Sequence, residues 1–285
     1  MKYENPEVDE FVNLPSEHPL KDFAILVTAV GIIAIVSFLV LIALAEFATR
    51  YIPFEVEQSL FDQINTYTPG EALIPESSNL EVEQYLQTLA DRFAQAQALP
   101  KNMKVTVHYI EAKEINAFAT LGGHILINSA LLARCSDENT LAMVLAHEIA
   151  HIKHRHPIVA LGRGFTISIA MLSLLGLSES QFSNQIVGYF GLATQLVYSR
   201  DNEVQADQTA LETLQTVYGH VGGADRLFEI LADTEGKPLN QLFSTHPLTE
   251  SRKTNVKTFI ENNPPLQAAP VALPFWLPTH GGIEN

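Results

Sequence analysis

Five side chains able to bind a metal or move a proton, His147, Glu148, His151, His154 and His156, lie in LAMVLAHEIAHIKHRH, an otherwise apolar, helix-patterned run over residues 141–156. Residues four apart on a helix point the same way, one turn apart. His147 and His151 can therefore close on one ion at about 2.0–2.1 Å per nitrogen. Glu148 precedes His151 by three positions, so its carboxylate lies beside that face. This is the place of a base acting on metal-activated water rather than of a ligand. The competing reading is a charged helix face with core histidines. In an apolar run, unpaired polar groups are costly, which argues against it.

Zinc held by two histidines needs a third protein ligand and an open fourth position. YSRDNEVQADQTALETL, residues 198–214, offers Glu203 and Asp207 four apart on a second predicted helix. Glu203 completes a two-histidine, one-carboxylate set for one Zn2+ per chain. Asp207, one turn on, is placed to accept the other ring N–H of a ligand histidine and fix its tautomer. Alone, an ExxxD pair is ordinarily a solvated face. With HExxH about 50 residues earlier, it becomes specific.

The remaining candidates read as structural. His154 falls on the face of His147 and His151 but lies about 10 Å along the axis from His147, too far to share the ion. His156 stands at the expected helix end, where a cationic side chain is favourable. His18, His108, His220 and His280 have no partner pattern, and His124, after a Gly-Gly turn, is expected to line the cleft. Cys135, the only cysteine, reads as a small buried residue rather than a nucleophile. It permits no internal disulfide.

These groups need elements to position them. A helix is expected from Ser77 to Pro100, capped by Ser78 or Asn79, with Leu86, Leu89, Ala90 and Phe93 on one face. Val105, Val107 and Tyr109 alternate as a strand. Asn116–Ala119, the Gly122-Gly123 turn and His124–Ile127 read as a hairpin. Directly before the motif helix, this hairpin presents one strand, with Asn116, Ala117 and Phe118, as a free edge for an extended substrate. Ser136 is the expected cap of the motif helix, and Pro157 its stop. Helices follow over about Arg200–Val217, Ala224–Thr234 and Leu248–Glu261.

The chain has 285 residues, 47% of them hydrophobic, enough for one sizeable core and something besides. That addition is Phe23–Ala45, an uncharged apolar run between Lys21-Asp22 and Glu46. At about 1.5 Å per residue it crosses a bilayer core of roughly 30 Å. A cleaved signal peptide is the competing reading, since Ala43-Leu44-Ala45 resembles a cleavage site. The run is too long, however, and its leader is acidic. Lys2 and Lys21 precede the span and Arg50 follows it, with no further basic residue until Arg92. That asymmetry favours an N-terminus inside and a catalytic domain on the extracytoplasmic side, periplasmic or extracellular. Two later apolar runs, Gly164–Leu177 and Ile186–Tyr198, fall short of a span. They read as buried or interfacial helices, with a membrane-dipping pair as the alternative. A formal net charge of −15 argues against nucleic acid as a partner.

HEIAHIKHRH followed by YSRDNEVQAD resembles the membrane-associated zinc metallopeptidases that include HtpX, the CAAX prenyl proteases and the BepA-type periplasmic proteases, gluzincins with HExxH…ExxAD. The resemblance runs from about Ser77 to Glu261 and includes NAFATLGGHILINSALL and THPLTESR, residues 245–252. It implies His147, His151 and Glu203 as zinc ligands and Glu148 as general base. It also places His246 near the site in a substrate- or oxyanion-stabilising role, with Arg252 as support.

The expected fold is α+β and mostly helical: a gluzincin-like domain with a small β-sheet, preceded by one transmembrane helix. Its parts are an N-terminal tail (1–22), an anchor (23–45), a connecting region (46–76), the peptidase domain (77–262) and a Pro-rich tail (263–285). The expected function is a single-pass, membrane-anchored zinc endopeptidase acting on misfolded or membrane-associated polypeptides. Its partners are those polypeptides and the lipid around the anchor. The rival of another class is a catalytically silent, membrane-tethered chaperone or binding module, which would have no need of Glu148.

Overall fold

The computed structural model describes residues 4, 18–67, 74, 77, 79–175, 198–233, 246–264 and 270–278. The chain divides into two units, Met1–Leu44 and Ala45–Asn285. The first carries most of α1 (Pro19–Thr49), a helix with no buried residue. A water-soluble core helix would bury these apolar side chains, yet Ile33, Leu39 and Leu41 are all more than half exposed. Among the described residues, α1 is the one helix long and apolar enough to cross a membrane.

The second unit opens with α2 (Phe54–Tyr67), inside a stretch that its prolines mark as irregular. Pro53 starts this helix instead of breaking it: its carbonyl accepts from Val56 N at 3.1 Å, and a helix N-terminus has no use for the N–H that proline lacks. Phe54, Glu57 and Phe61 are buried. Helix α3 (Leu80–Ala96) is capped by Asn79, whose Oδ1 accepts from Val82 N at 3.2 Å. It buries Val82, Leu86, Leu89, Ala90 and Phe93.

The sheet has three strands, β1 (Thr106–Ile110), β2 (Ala117–Ala119) and β3 (His124–Asn128), in the order β1-β3-β2. Strand β1 pairs parallel to β3, and β2 pairs antiparallel to it with Phe118 opposite Leu126. The hairpin turns through a short 3-10 segment, Leu121–Gly123. Gly123 has φ +86°, and a β-carbon there would overlap the Lys104 carbonyl oxygen, so only glycine fits.

Helix α4 (Ser129–Leu132) leads to the motif helix α5 (Glu138–Lys153). Its cap is Asp137, not Ser136: Asp137 Oδ1 accepts from Thr140 N at 2.8 Å, while Ser136 Oγ donates to the other carboxylate oxygen. Residues 138–152 of α5 are all buried. Nor does Pro157 end this helix. The break comes earlier, at Arg155, whose φ of +61° reverses the chain, and Pro157 sits in the first turn of α6 (His156–Leu175). This left-handed residue is held by Glu57, with Nη2–Oε2 2.9 Å, and by a bond to the Ile52 carbonyl at 2.8 Å. Gly164–Leu175 of the first later apolar run lies in α6; the second, Ile186–Tyr198, falls outside the described residues except for Tyr198.

Among the described residues, three more helices follow: α7 (Arg200–Tyr218), α8 (Asp225–Asp233) and α9 (Glu250–Asn262). Helix α5 is the central element, packed on α3, α7, α8 and β2. Of the proline-rich tail, residues 270–278 lie back on the domain. Val271 O accepts from Glu138 N and Val271 N donates to Asn139 Oδ1, both at 2.8 Å, and Leu277 is buried.

Candidate metal centre

Two helices supply buried reactive groups. On α5 the four-residue spacing brings His147 Nε2 to 3.0 Å from His151 Nε2. On α7, begun by Ser199 Oγ capping Asn202 N at 3.2 Å, Glu203 lies in the first turn. Its Oε2 is 3.5 Å from His147 Nε2 and its Oε1 is 3.5 Å from His151 Nε2. A tetrahedral ion at about 2.0–2.1 Å from its ligands sets those ligands about 3.3 Å apart, so this triangle fits zinc.

His246, just before α9, joins the same group. Its Nδ1 lies 3.3 Å from His147 Nε2 and 3.1 Å from Glu203 Oε1. Donor atoms of His147, His151, Glu203 and His246 all fall within 4.8 Å of one another. The resemblance placed His246 near the site; the structure places it among the donors.

Glu148 stands apart from that cluster. Its Oε2 accepts from Ala119 N at 2.7 Å, and its Oε1 faces His246 Nε2 at 3.5 Å. Burial raises the pKa of its carboxyl, although His246 and His147 oppose the shift. A carboxyl held above its ordinary range is suited to taking a proton and giving it up.

Asp207 Oδ1 is 3.0 Å from His147 Nδ1, which fixes the ring with Nε2 toward the donor group. Burial alone would lower the pKa of His147; Asp207 and Glu203 push it up to about 10 instead. The pocket therefore favours a positive charge, whether proton or metal. Arg252, on the first turn of α9, forks onto Asp207 with Nε–Oδ2 2.7 Å and Nη2–Oδ1 2.8 Å. Its Nη1 reaches Glu203 Oε2 at 2.8 Å and the carbonyls of His246 and Pro247 at 3.3 and 3.1 Å. One buried guanidinium thus ties both acidic residues to the His246 segment.

Two participants were not anticipated. His156, expected as a cationic helix end, opens α6 and is buried, and its pKa is pushed down to about 4 by burial. As a neutral ring it lies with Nδ1 2.8 Å from His151 Nδ1 and Nε2 3.1 Å from Gln205 Oε1. His151 thus donates from Nδ1 and keeps Nε2 free for a metal. Tyr198 stacks on the His151 ring at 3.9 Å, and its hydroxyl donates to the Ala119 carbonyl at 3.0 Å. Its place in YSRDNEVQAD was the available signal.

Of the residues expected on the substrate side, Ala117 and Phe118 lie on the edge strand β2 and Asn116 directly precedes it. Asn116 O accepts from Asn128 N, and Thr120 N donates to His124 O, which turns the main-chain groups of Ala117 and Ala119 away from β3. Ala119 uses its own on Glu148 and Tyr198. Ala117 is buried, and Phe118 is partly exposed. His124, expected in the cleft, instead lies with Nδ1 2.8 Å from His108 Nε2 and stacks on Phe61 of α2. His154 bonds to Thr209 Oγ1 at 2.9 Å. Cys135 is buried, which pushes its thiol up to about 12 and leaves it inert.

A model of peptidase family M48 matches residues 80–260, more than half of the chain. The chain is 29% identical over 188 residues to a beta-barrel assembly-enhancing protease of Yersinia pestis, covering 61% of this chain and 38% of that protein. It is 29% identical over 164 residues to the mitochondrial metalloendopeptidase OMA1 of Schizosaccharomyces pombe, covering 56% and 48%. To the metalloprotease LoiP of Escherichia coli it is 29% identical over 192 residues, covering 63% and 71%. The chain therefore spans about two fifths of the Yersinia protein's length and about half of the yeast protein's.

Proposed function

The chain belongs to peptidase family M48, and from that premise we propose that it is a membrane-anchored zinc endopeptidase that cuts misfolded or membrane-associated polypeptides on the extracytoplasmic side. The observation that carries this reading is the convergence of His147, His151 and Glu203 at zinc-ligand spacing with Glu148 beside them but outside the triangle. One zinc per chain, held by those three, would supply Lewis acidity to acidify a water and polarise the scissile carbonyl.

The protein's own groups do the rest. Glu148 is anchored through Oε2 to the edge strand, so Oε1 takes the proton of the attacking water and passes it to the departing amine. His246 Nε2, facing Glu148, is placed to donate to the oxygen that gains charge. Asp207 and His156 hold the ligand rings in the tautomers they need. Ala117 is fully buried in this structure, so an extended substrate would pair with its outward main-chain groups only once that edge is uncovered, which favours broad side-chain tolerance. Membrane attachment rests on α1, and the side of the membrane on the Lys and Arg asymmetry around it. The Yersinia relative is named a beta-barrel assembly-enhancing protease, which supports a polypeptide substrate.

Casein degradation by the purified full chain, with and without a zinc chelator, tests the reading. Chelator-sensitive cleavage restored by zinc is expected. Binding of unfolded casein with no cleavage under any metal condition would instead indicate the silent chaperone.

A further inference from the structure

The charge that closes the apolar run of α1 and the charge that precedes the apolar run of α6 are paired with each other. Glu46 follows Phe23–Ala45, Arg163 precedes Gly164–Leu175, and Arg163 Nε is bonded to Glu46 Oε1. One residue pair further on, Gly162 lies so close to Thr49 that a β-carbon at Gly162 would overlap the Thr49 methyl group. Glu46 and Thr49, three residues apart near the C-terminal end of α1, thus both lie against the Gly162–Arg163 step of α6. If Glu46 marks the edge of the lipid, Arg163 marks it too.

The surface of α6 agrees with this. Gly164–Leu175 contains no charged residue. Phe165 and Ile169, one turn apart, are 42% and 41% exposed, against the usual fate of large apolar side chains in water. The polar Thr166 and Ser168 are satisfied within the helix, donating to the Gly162 and Gly164 carbonyls at 2.9 and 2.8 Å. An apolar environment asks for that arrangement. Twelve residues rise about 18 Å, which reaches into a bilayer of roughly 30 Å without crossing it.

We propose that Gly164–Leu175 is a second, non-spanning membrane contact. Its consequence is positional. His156, which orients His151, lies seven residues before Arg163 on the same helix, about 10 Å along its axis. The metal centre is thereby held close to the headgroups, and the substrates it meets are lipid-proximal segments of polypeptides. The proposal rests on α1 being a membrane anchor, so its test must report on both.

Single cysteines at Ile169, Phe165, Ile33 of α1 and Leu80 of α3, in the full chain reconstituted into phosphatidylcholine vesicles, would carry an environment-sensitive fluorophore. Cys135 is buried and stays silent. Labels at positions 169, 165 and 33 are expected to be quenched several-fold more by a spin-labelled lipid than by aqueous iodide, and the label at position 80 the reverse. Iodide quenching at 169 and 165, with lipid quenching at 33, would overturn the α6 contact and leave the anchor standing. Protection of 169 and 165 from both quenchers would show that protein covers the face, and would overturn it equally. Loss of lipid quenching at 33 would remove the anchor and the proposal together.

Discussion

Arg252 and Asp207 form a two-pronged ion pair, Nε–Oδ2 2.7 Å and Nη2–Oδ1 2.8 Å, with both side chains almost fully buried. Because Arg252 also reaches Glu203, it is the counter-charge for two buried carboxylates. Arg252→Ala should destabilise the fold by about 3–5 kcal/mol, the usual cost of stripping one partner from a buried pair. Arg252→Lys should not restore it, since an ammonium lacks the fork. Chemical denaturation of the three proteins checks this. A lysine variant as stable as the parent would show that charge alone suffices.

Tyr198→Phe keeps the stack on His151 and removes the bond to the Ala119 carbonyl. The Ala119 N–H holds Glu148, so kcat should fall roughly fivefold, the equivalent of about 1 kcal/mol for one hydrogen bond. Zinc content should not change. Tyr198→Ala also removes the stack and should weaken zinc by about 10–100-fold, as loss of support to a ligand histidine does. Zinc titration against a competing chelator separates the two variants.

The sequence carried the chemistry further than the geometry. HExxH and ExxAD name the groups that meet, because helix periodicity alone aligns His147 with His151 and Glu203 with Asp207. Whether those two helices face each other is tertiary information, and only packing of α5 on α7 supplies it. His156 was misjudged because Pro157 reads as a helix stop. The actual break is a left-handed Arg155 held by Glu57, about 100 residues away in sequence, which no local signal encodes. The cap at Asp137 rather than Ser136 is a choice between two adjacent good caps. The helix in 46–76 was hidden because prolines that open a helix and prolines that break one look alike.

Burial pushes the His124 pKa down from 6.5 to about 4, with neighbouring His108 adding to the shift and Asp62 opposing it. The unfolded chain takes up this proton near pH 6.5, and the folded chain only near 4. The ring's contribution to stability is therefore complete above pH 6.5 and is lost as pH falls through about 4. His124→Gln, which cannot titrate, should lose less stability than the parent between pH 6.5 and 5. Thermal melts across that interval check it. Parallel curves would mean the pair does not couple to folding.

Proline at Ala117 removes one outward N–H of the edge strand while leaving Ala119, and so Glu148, in place. KM should rise to a similar degree for peptides of unrelated sequence, with kcat nearly unchanged, because main-chain pairing is blind to side chains. An increase confined to one peptide would point to a side-chain pocket instead.

In the proposed mechanism Glu148 moves the proton and does not hold the metal. Glu148→Gln preserves shape and leaves His147, His151 and Glu203 intact, so the decisive measurement is zinc content and casein cleavage on one preparation of that variant. About one zinc per chain is expected, with a rate lower by about 10²–10⁴, the range typical of a lost general base. Cleavage within a factor of a few of the parent, or loss of the zinc together with the activity, would contradict it.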